Sequence, residues 1–131
     1  MKYETRNHSK FLLMYHIIFV CKYRKAILEP ISEELKQIVI DISKGSNFEI
    51  LEMETDKDHI HFLIKSETKV SVLSIVRKQK HESTNRIWKT QKEYLEKYYR
   101  GENTLWSDGY FASTIGNVSK EATEYYIRNQ G

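Results

Sequence analysis

Residues 12–21 constrain the fold of this chain more than any other segment. They read LLMYHIIFVC, a nearly continuous run of β-branched, aromatic and other apolar residues interrupted only by His16. A membrane-spanning helix requires about 20 apolar residues, so this run is too short to cross a bilayer, and we expect no membrane partner. A short continuous apolar run is typical of a strand covered on both faces of a sheet. We therefore predict an interior β-strand here.

The composition indicates an ordinary globular protein. Of 131 residues, 40% are hydrophobic and 30% are charged, a balance that argues against disorder. This length predicts a single domain over residues 1–131. The single cysteine excludes an internal disulfide and a cysteine-based zinc site, and it suits a reducing cytoplasm. The net charge of +3 permits an acidic partner without requiring one.

Three later segments show helical periodicity. The first has Ser32 as its predicted N-cap, two glutamates in its first turn and Gly45 as its end. The second is a long helix from about residue 70, and residues 91–108 are predicted to be irregular or partly helical. Its apolar residues at helical intervals are Val70, Leu73, Val76 and Ile87. A final helix is predicted over residues 118–129.

Three further segments have the features of strands. Residues 48–55 and 59–65 alternate in polarity and are joined by a turn, and residues 110–115 form a short fourth strand. The predicted order is therefore β-α-β-β-α-β-α. We predict an α+β fold, an antiparallel sheet with helices packed on it, which is ferredoxin-like or RRM-like in outline.

The third predicted strand carries two histidines on one face. His59 and His61 are two residues apart, and alternation along a strand puts both imidazoles on the same side, close enough to hold one metal ion. Asp56 and Asp58 lie just upstream and supply carboxylates that can orient a ring or join an outer shell around the metal. The alternative is a pair of half-exposed histidines with no ligand.

The last predicted helix carries a second candidate group. Tyr126 and Gln130 are four residues apart and therefore share a helix face. A phenol attacks a phosphodiester when a metal polarises the phosphate, and a carboxamide oxygen suits Mg²⁺ or Mn²⁺. The alternative is that Tyr125 and Tyr126 form an aromatic edge of the core.

These motifs together resemble the single-tyrosine HUH (His-hydrophobic-His) transposases of insertion sequences that move as single-stranded DNA. The resemblance covers nearly the whole chain. The segments that carry it, in order, are YHIIFV at 15–20, KYRK at 22–25, TDKDHIH at 55–61, LWSDGYF at 105–111 and YIRNQ at 126–130.

The resemblance implies a function and a set of roles. His59, His61 and Gln130 would hold a divalent metal ion, Mg²⁺ or Mn²⁺, and Tyr126 would be the nucleophile, because only this tyrosine has glutamine four residues on. Such an enzyme cleaves and rejoins single-stranded DNA at hairpin-bearing transposon ends through a 5′-phosphotyrosine. The resemblance also implies a homodimer in which the tyrosine helix of one subunit completes the histidine site of the other.

Basic residues provide candidate contacts to DNA phosphates. One group lies in the turn after the first strand and another lies on the second helix, where interleaved aromatic side chains can stack on unpaired bases. The predicted DNA-binding residues are Lys22, Tyr23, Arg24, Lys25, Arg77, Lys78, Lys80 and Arg86. The alternative for any one of them is a solvated surface position.

Two other functions fit much of the sequence. One is a domesticated relative that acts on repeated palindromic DNA elements, which shares the chemistry and differs in its substrate. The other is a non-catalytic RRM-like nucleic-acid-binding module, which accounts for the fold and the basic patches. The second leaves the combination of two histidines, a tyrosine and a glutamine unexplained.

Overall fold

The chain folds into a four-stranded antiparallel sheet with helices packed on it. The structure is a computed structural model that describes residues 12–67 and 70–115. Its strands are β1 (Leu12–Val20), β2 (Phe48–Thr55), β3 (His59–Glu67) and β4 (Phe111–Thr114), and its α-helices are α1 (Ser32–Lys44) and α2 (Val72–Glu96). The predicted final helix, with Tyr125, Tyr126 and Gln130, lies outside the described residues.

The apolar run becomes an interior strand, as predicted. The sheet order is β2-β3-β1-β4, so β1 pairs with β3 on one side and with β4 on the other. The register of β1 and β3 runs from Leu12 opposite Glu67 to Val20 opposite His59. The order β-α-β-β-α-β of the described elements confirms the α+β class and the ferredoxin-like outline.

Helix α1 confirms the predicted helix but not its predicted start. Gly45 is its C-cap, as expected, whereas Ser32 is the first helical residue and Ile31 occupies the N-cap position. The reason is that residues Glu29–Ile31 already form a 3₁₀ turn that leads into the helix. The Ser32 hydroxyl instead shares a hydrogen bond of 2.6 Å with the hydroxyl of Thr55 on β2.

Helix α2 begins at Val72, two residues after its predicted start at about residue 70. Ser71 is its N-cap, and the Ser71 hydroxyl accepts a hydrogen bond of 3.0 Å from the Ser74 N–H. Leu73, one of the apolar residues at helical intervals, is 43% exposed, whereas Val70 and Val76 are buried. The helix continues to Glu96 through a kink at Gln91, so the segment 91–108 is partly helical, as one of its two predicted forms allowed.

The main core lies between the helices and one face of the sheet. Alternate residues of β1 and β3 are buried there with the apolar residues of α1 and α2. The residues from the two central strands are Tyr15, Ile17, Phe19, Ile60, Phe62 and Ile64. Within the described part of the chain, neither helix is long and apolar enough to cross a membrane.

Candidate functional site

The face of the sheet opposite the helices carries a cluster of imidazoles. The rings of His59 and His61 lie with their centroids 4.7 Å apart and their planes at 61°. His61 is only 4% exposed, and the side chain of His59 is 15% exposed. Both rings are therefore more deeply buried than the alternative of two half-exposed histidines expects. The neighbouring Leu63 and Ile18 are buried on the same face, so the pair lies in a covered site.

Asp58 fixes the orientation of the first histidine. Its Oδ1 lies 2.7 Å from Nδ1 of His59. The pKa of Asp58 is lowered, first by this hydrogen bond and then by Arg24, so the carboxylate is ionised. It therefore accepts a hydrogen bond from the N–H of the His59 ring. Nδ1 of His59 is thus the donor, which leaves its Nε2 with a free lone pair.

Asp56 has a different contact. Its Oδ1 accepts a hydrogen bond of 2.8 Å from the Lys57 N–H, and its own N–H donates to the His59 carbonyl oxygen at 2.8 Å. Asp56 therefore shapes the turn between β2 and β3. Its negative charge also raises the pKa of His61, although burial outweighs it.

A third histidine, which the sequence analysis did not assign to the site, completes the cluster. His16 is fully buried on β1, and its ring stacks on that of His61 with centroids 5.9 Å apart and planes at 19°. Alternation along β1 already places His16 opposite the core residues Tyr15 and Ile17. Its position beside His61 depends on the register between β1 and β3, for which the sequence carries no signal.

Burial keeps His61 and His16 uncharged near pH 7. The pKa of His61 is lowered to about 4, chiefly by desolvation and then by the neighbouring His59 and His16. Burial alone lowers the pKa of His16 to about 4. Both rings are therefore neutral near pH 7, which is the form in which imidazole binds metals.

The two histidines predicted as ligands have the chemistry to bind a divalent cation. Nε2 of His59 and Nδ1 of His61 are buried and have no hydrogen-bond partner among the described residues. Buried polar atoms are normally paired, so two adjacent unpaired nitrogens point to a ligand. Residues 12–67 and 70–115 contain no cluster of three or more acidic, histidine or cysteine side chains arranged to hold a metal. Two imidazoles therefore need further ligands, and Gln130, the predicted third, lies outside the described residues.

The predicted DNA-binding residues 22–25, here called the basic turn, follow β1 directly. Residues Lys22–Arg24 form a 3₁₀ turn in which Tyr23 and Arg24 have φ values of 61° and 53°. Acidic residues pair with two of the three cations of this turn. Lys22 lies 3.8 Å from Oε1 of Glu102, and the Tyr23 hydroxyl donates to Oε2 of the same carboxylate at 3.0 Å. Arg24 pairs with Asp58 at 3.3 Å.

The basic residues of α2 have unequal surroundings. Arg77 is exposed and lines a groove of about 460 Å³ between α2 and residues 103–108. Lys78 is half-buried, and Arg86 pairs with Glu82 one turn earlier at 2.7 Å. The Lys80 ammonium donates to the backbone carbonyl oxygens of residues 107, 108 and 109 at 2.6, 3.0 and 2.8 Å. Lys80 thus fixes the loop that leads to β4.

Known proteins are similar to this chain in sequence and fold. Residues 9–130 match the family described as "Transposase IS200 like". The ISDra2 transposase TnpA of Deinococcus radiodurans is 28% identical over 92% of this chain and 85% of its own length. The transposase for insertion sequence element IS200 of Salmonella typhimurium is 30% identical over 94% of this chain and 80% of its own length.

Solved structures agree with the sequence match. The crystal structure of a Deinococcus radiodurans protein assigned as a transposase superimposes with a TM-score of 0.72 at 26% identity, covering 92% of each chain. The REP-associated tyrosine transposase, solved bound to a REP hairpin, shares the fold with a TM-score of 0.63 at 15% identity, over 88% of this chain and 62% of its own. The predicted family is confirmed: this chain belongs to the IS200-like transposases, enzymes that cleave and rejoin DNA.

Proposed function

We propose that this transposase cleaves and rejoins single-stranded DNA at hairpin-bearing ends, with a divalent metal and a 5′-phosphotyrosine intermediate. One observation carries the proposal. The neighbouring rings of His59 and His61, on the face of the sheet opposite the core, each present a buried nitrogen that has no partner among the described residues. A purely structural role for this strand leaves two unpaired polar atoms unexplained.

The metal site would be formed by two imidazoles and one carboxamide. His59, His61 and Gln130 would hold Mg²⁺ or Mn²⁺, and Asp58 keeps the His59 ring in the tautomer that binds a cation. When bound, the ion supplies Lewis-acid polarisation of a phosphate oxygen and a template for the scissile group. The neutral state of His61 at pH 7 suits this role, since a protonated ring cannot bind a metal.

The covalent chemistry belongs to Tyr126. Its phenolic oxygen attacks the scissile phosphorus, the phenol gives up its proton, and the bond from phosphorus to the 3′ oxygen breaks. The products are a 5′-phosphotyrosine and a free 3′-OH. A 3′-OH of another end then attacks the phosphotyrosine, which restores the phenol and forms a new phosphodiester. One ester bond is exchanged for another at each step, so no ATP is required.

The proposed partners are DNA and a second copy of the chain. The basic turn and Arg77 would bind DNA phosphates, and the REP-associated relative solved with a REP hairpin supports hairpin DNA as the substrate class. A homodimer would let the tyrosine helix of one subunit complete the histidine pair of the other. Domesticated relatives would share this chemistry and differ in the hairpin that they bind.

The test is a covalent adduct. A hairpin oligonucleotide from the protein's own locus, labelled at its 3′ end, is incubated with the protein and Mn²⁺ and resolved under denaturing conditions. We expect a labelled protein band that Tyr126→Phe abolishes and that the matched control Tyr125→Phe retains. An adduct that survives Tyr126→Phe would contradict the assignment of the nucleophile.

A further inference from the structure

One carboxylate joins the basic turn to the histidine pair. Asp58 Oδ1 lies 2.7 Å from Nδ1 of His59, while its Oδ2 accepts from Nη2 and Nε of Arg24 at 3.3 and 3.4 Å. The Asp58 side chain is 19% exposed, and that of Arg24 is 79% exposed. The carboxylate thus lies between a solvent-facing cation and a buried ring.

The backbone of the basic turn is fixed independently of this ion pair. The Lys22 N–H donates to the Leu105 carbonyl at 2.8 Å, and the Arg24 N–H donates to the Cys21 carbonyl at 2.8 Å. The Tyr99 hydroxyl donates to the Lys22 carbonyl at 2.9 Å. These bonds hold the left-handed conformation of two non-glycine residues, which is costly without such support. The Arg24 guanidinium can therefore change partners without unfolding the turn.

The ion pair itself is weak enough to exchange. Exposed pairs contribute about 0–1 kcal/mol, and the distances of 3.3 and 3.4 Å are long for a charged hydrogen bond. A phosphate group can accept two parallel bonds from a guanidinium and competes directly with Asp58. Once Arg24 leaves, the full charge of Asp58 acts on the His59 ring, which makes that imidazole a stronger ligand.

We infer that Arg24 is a positioning residue that acts through Asp58 on His59, so that phosphate binding at the basic turn raises the affinity of the histidine pair for a divalent cation. This inference rests on the proposed metal site. By reciprocity, a cation bound at the histidines strengthens phosphate binding at Arg24 by the same factor. The cation would thus be held most tightly when DNA is present.

Mn²⁺ affinity, measured by titration calorimetry on the whole protein, tests the link without any cleavage. We expect Arg24→Gln to bind Mn²⁺ about fivefold more tightly than the wild type. Lys57→Gln is the matched control, because it removes one positive charge beside Asp58 from a side chain that makes no ion pair with the described residues. Its affinity should equal that of the wild type. Equal affinities for Arg24→Gln and the wild type would overturn the inference.

A double-mutant cycle shows whether Asp58 carries the effect. Asp58→Asn should weaken Mn²⁺ binding about tenfold, and adding Arg24→Gln to it should change nothing further. If Arg24→Gln changes Mn²⁺ affinity equally in the wild type and in Asp58→Asn, Asp58 does not transmit the effect. A short oligothymidylate should raise the Mn²⁺ affinity of the wild type but not that of Arg24→Gln.

The same titration separates this inference from the proposed function. If His59→Ala and His61→Ala bind Mn²⁺ as well as the wild type does, the histidine metal site itself is wrong, and the inference falls with it. If both histidine variants lose Mn²⁺ while Arg24→Gln binds as the wild type does, only the inference fails.

Discussion

The two faces of β3 are both buried, yet they differ in chemistry. On the side of the helices, Ile60, Phe62 and Ile64 are at most 1% exposed and pack into one apolar core. On the other side, His61 is 4% exposed and lies between the rings of His59 and His16. Burial alone therefore does not separate core from site in this protein.

The two faces of β3 differ in whether they bury polar atoms that lack a hydrogen-bond partner among the described residues. Apolar side chains gain free energy when they leave water, whereas a buried ring nitrogen without a hydrogen bond costs free energy. Nε2 of His59 and Nδ1 of His61 carry that cost within the described structure. The helix-facing side therefore contributes apolar burial to the fold, whereas the histidine side keeps the polar atoms that the proposed metal site would use.

The largest loss of stability is expected on the helix-facing side. Phe62→Ala removes a fully buried ring that meets Phe19 with centroids 5.1 Å apart. We expect the free energy of unfolding to fall by about 4 kcal/mol, measured by urea denaturation. Phe62→Leu should cost clearly less. A loss of under about 1 kcal/mol for Phe62→Ala would show that this face is not the main core.

Cys21 extends the same apolar side and tests its exclusion of water. Burial raises the pKa of this thiol to about 12, and the residue is fully buried. At pH 8 we expect the native protein to react with iodoacetamide at least about a hundredfold more slowly than the urea-unfolded chain, because only the exposed thiolate reacts. Raising the pH to 9 should leave the native protein protected. Comparable rates for folded and unfolded protein would contradict the account.

A smaller effect is expected at Lys80, whose charge is committed to the fold. Lys80→Met removes three bonds to backbone carbonyls, and we expect a loss of about 2 kcal/mol in the free energy of unfolding. The dependence of DNA affinity on salt should keep its slope, because Lys80 makes no phosphate contact in this account. The exposed Arg77 is the matched control, and Arg77→Gln should lower that slope by about 1. Equal reductions in both variants would show that Lys80 binds DNA.

The sequence predicted most of the fold because the patterns were local. The apolar run of β1, the alternation of β3 and the end of α1 at Gly45 all follow from neighbouring residues. Ser32 was misplaced because a preceding 3₁₀ turn carries the chain into the helix before the serine. A capping residue and a first-turn residue look alike when the incoming turn is unknown.

The sequence predicted those parts of the candidate site that lie within a single strand or turn. The histidine pair follows from alternation on one strand, and Asp58 is the residue immediately before His59. His16 joins the pair through the register of β1 and β3, and Lys80 meets carbonyls 27–29 residues away. Both contacts depend on how distant segments meet. The clustering of Lys80 with Arg77 and Lys78 within one turn of α2 predicts a phosphate contact, but it gives no sign of these bonds to distant carbonyls.

If the histidine face carries out cleavage and does not maintain the fold, His61→Ala separates the two roles. Cleavage and binding of the same hairpin oligonucleotide are measured side by side, with the free energy of unfolding as a check. We predict that cleavage falls by at least about a hundredfold, while hairpin affinity, measured without a divalent metal, and stability stay near the wild-type values. Loss of cleavage and hairpin binding in equal measure would contradict the claim and give His61 a binding or folding role instead.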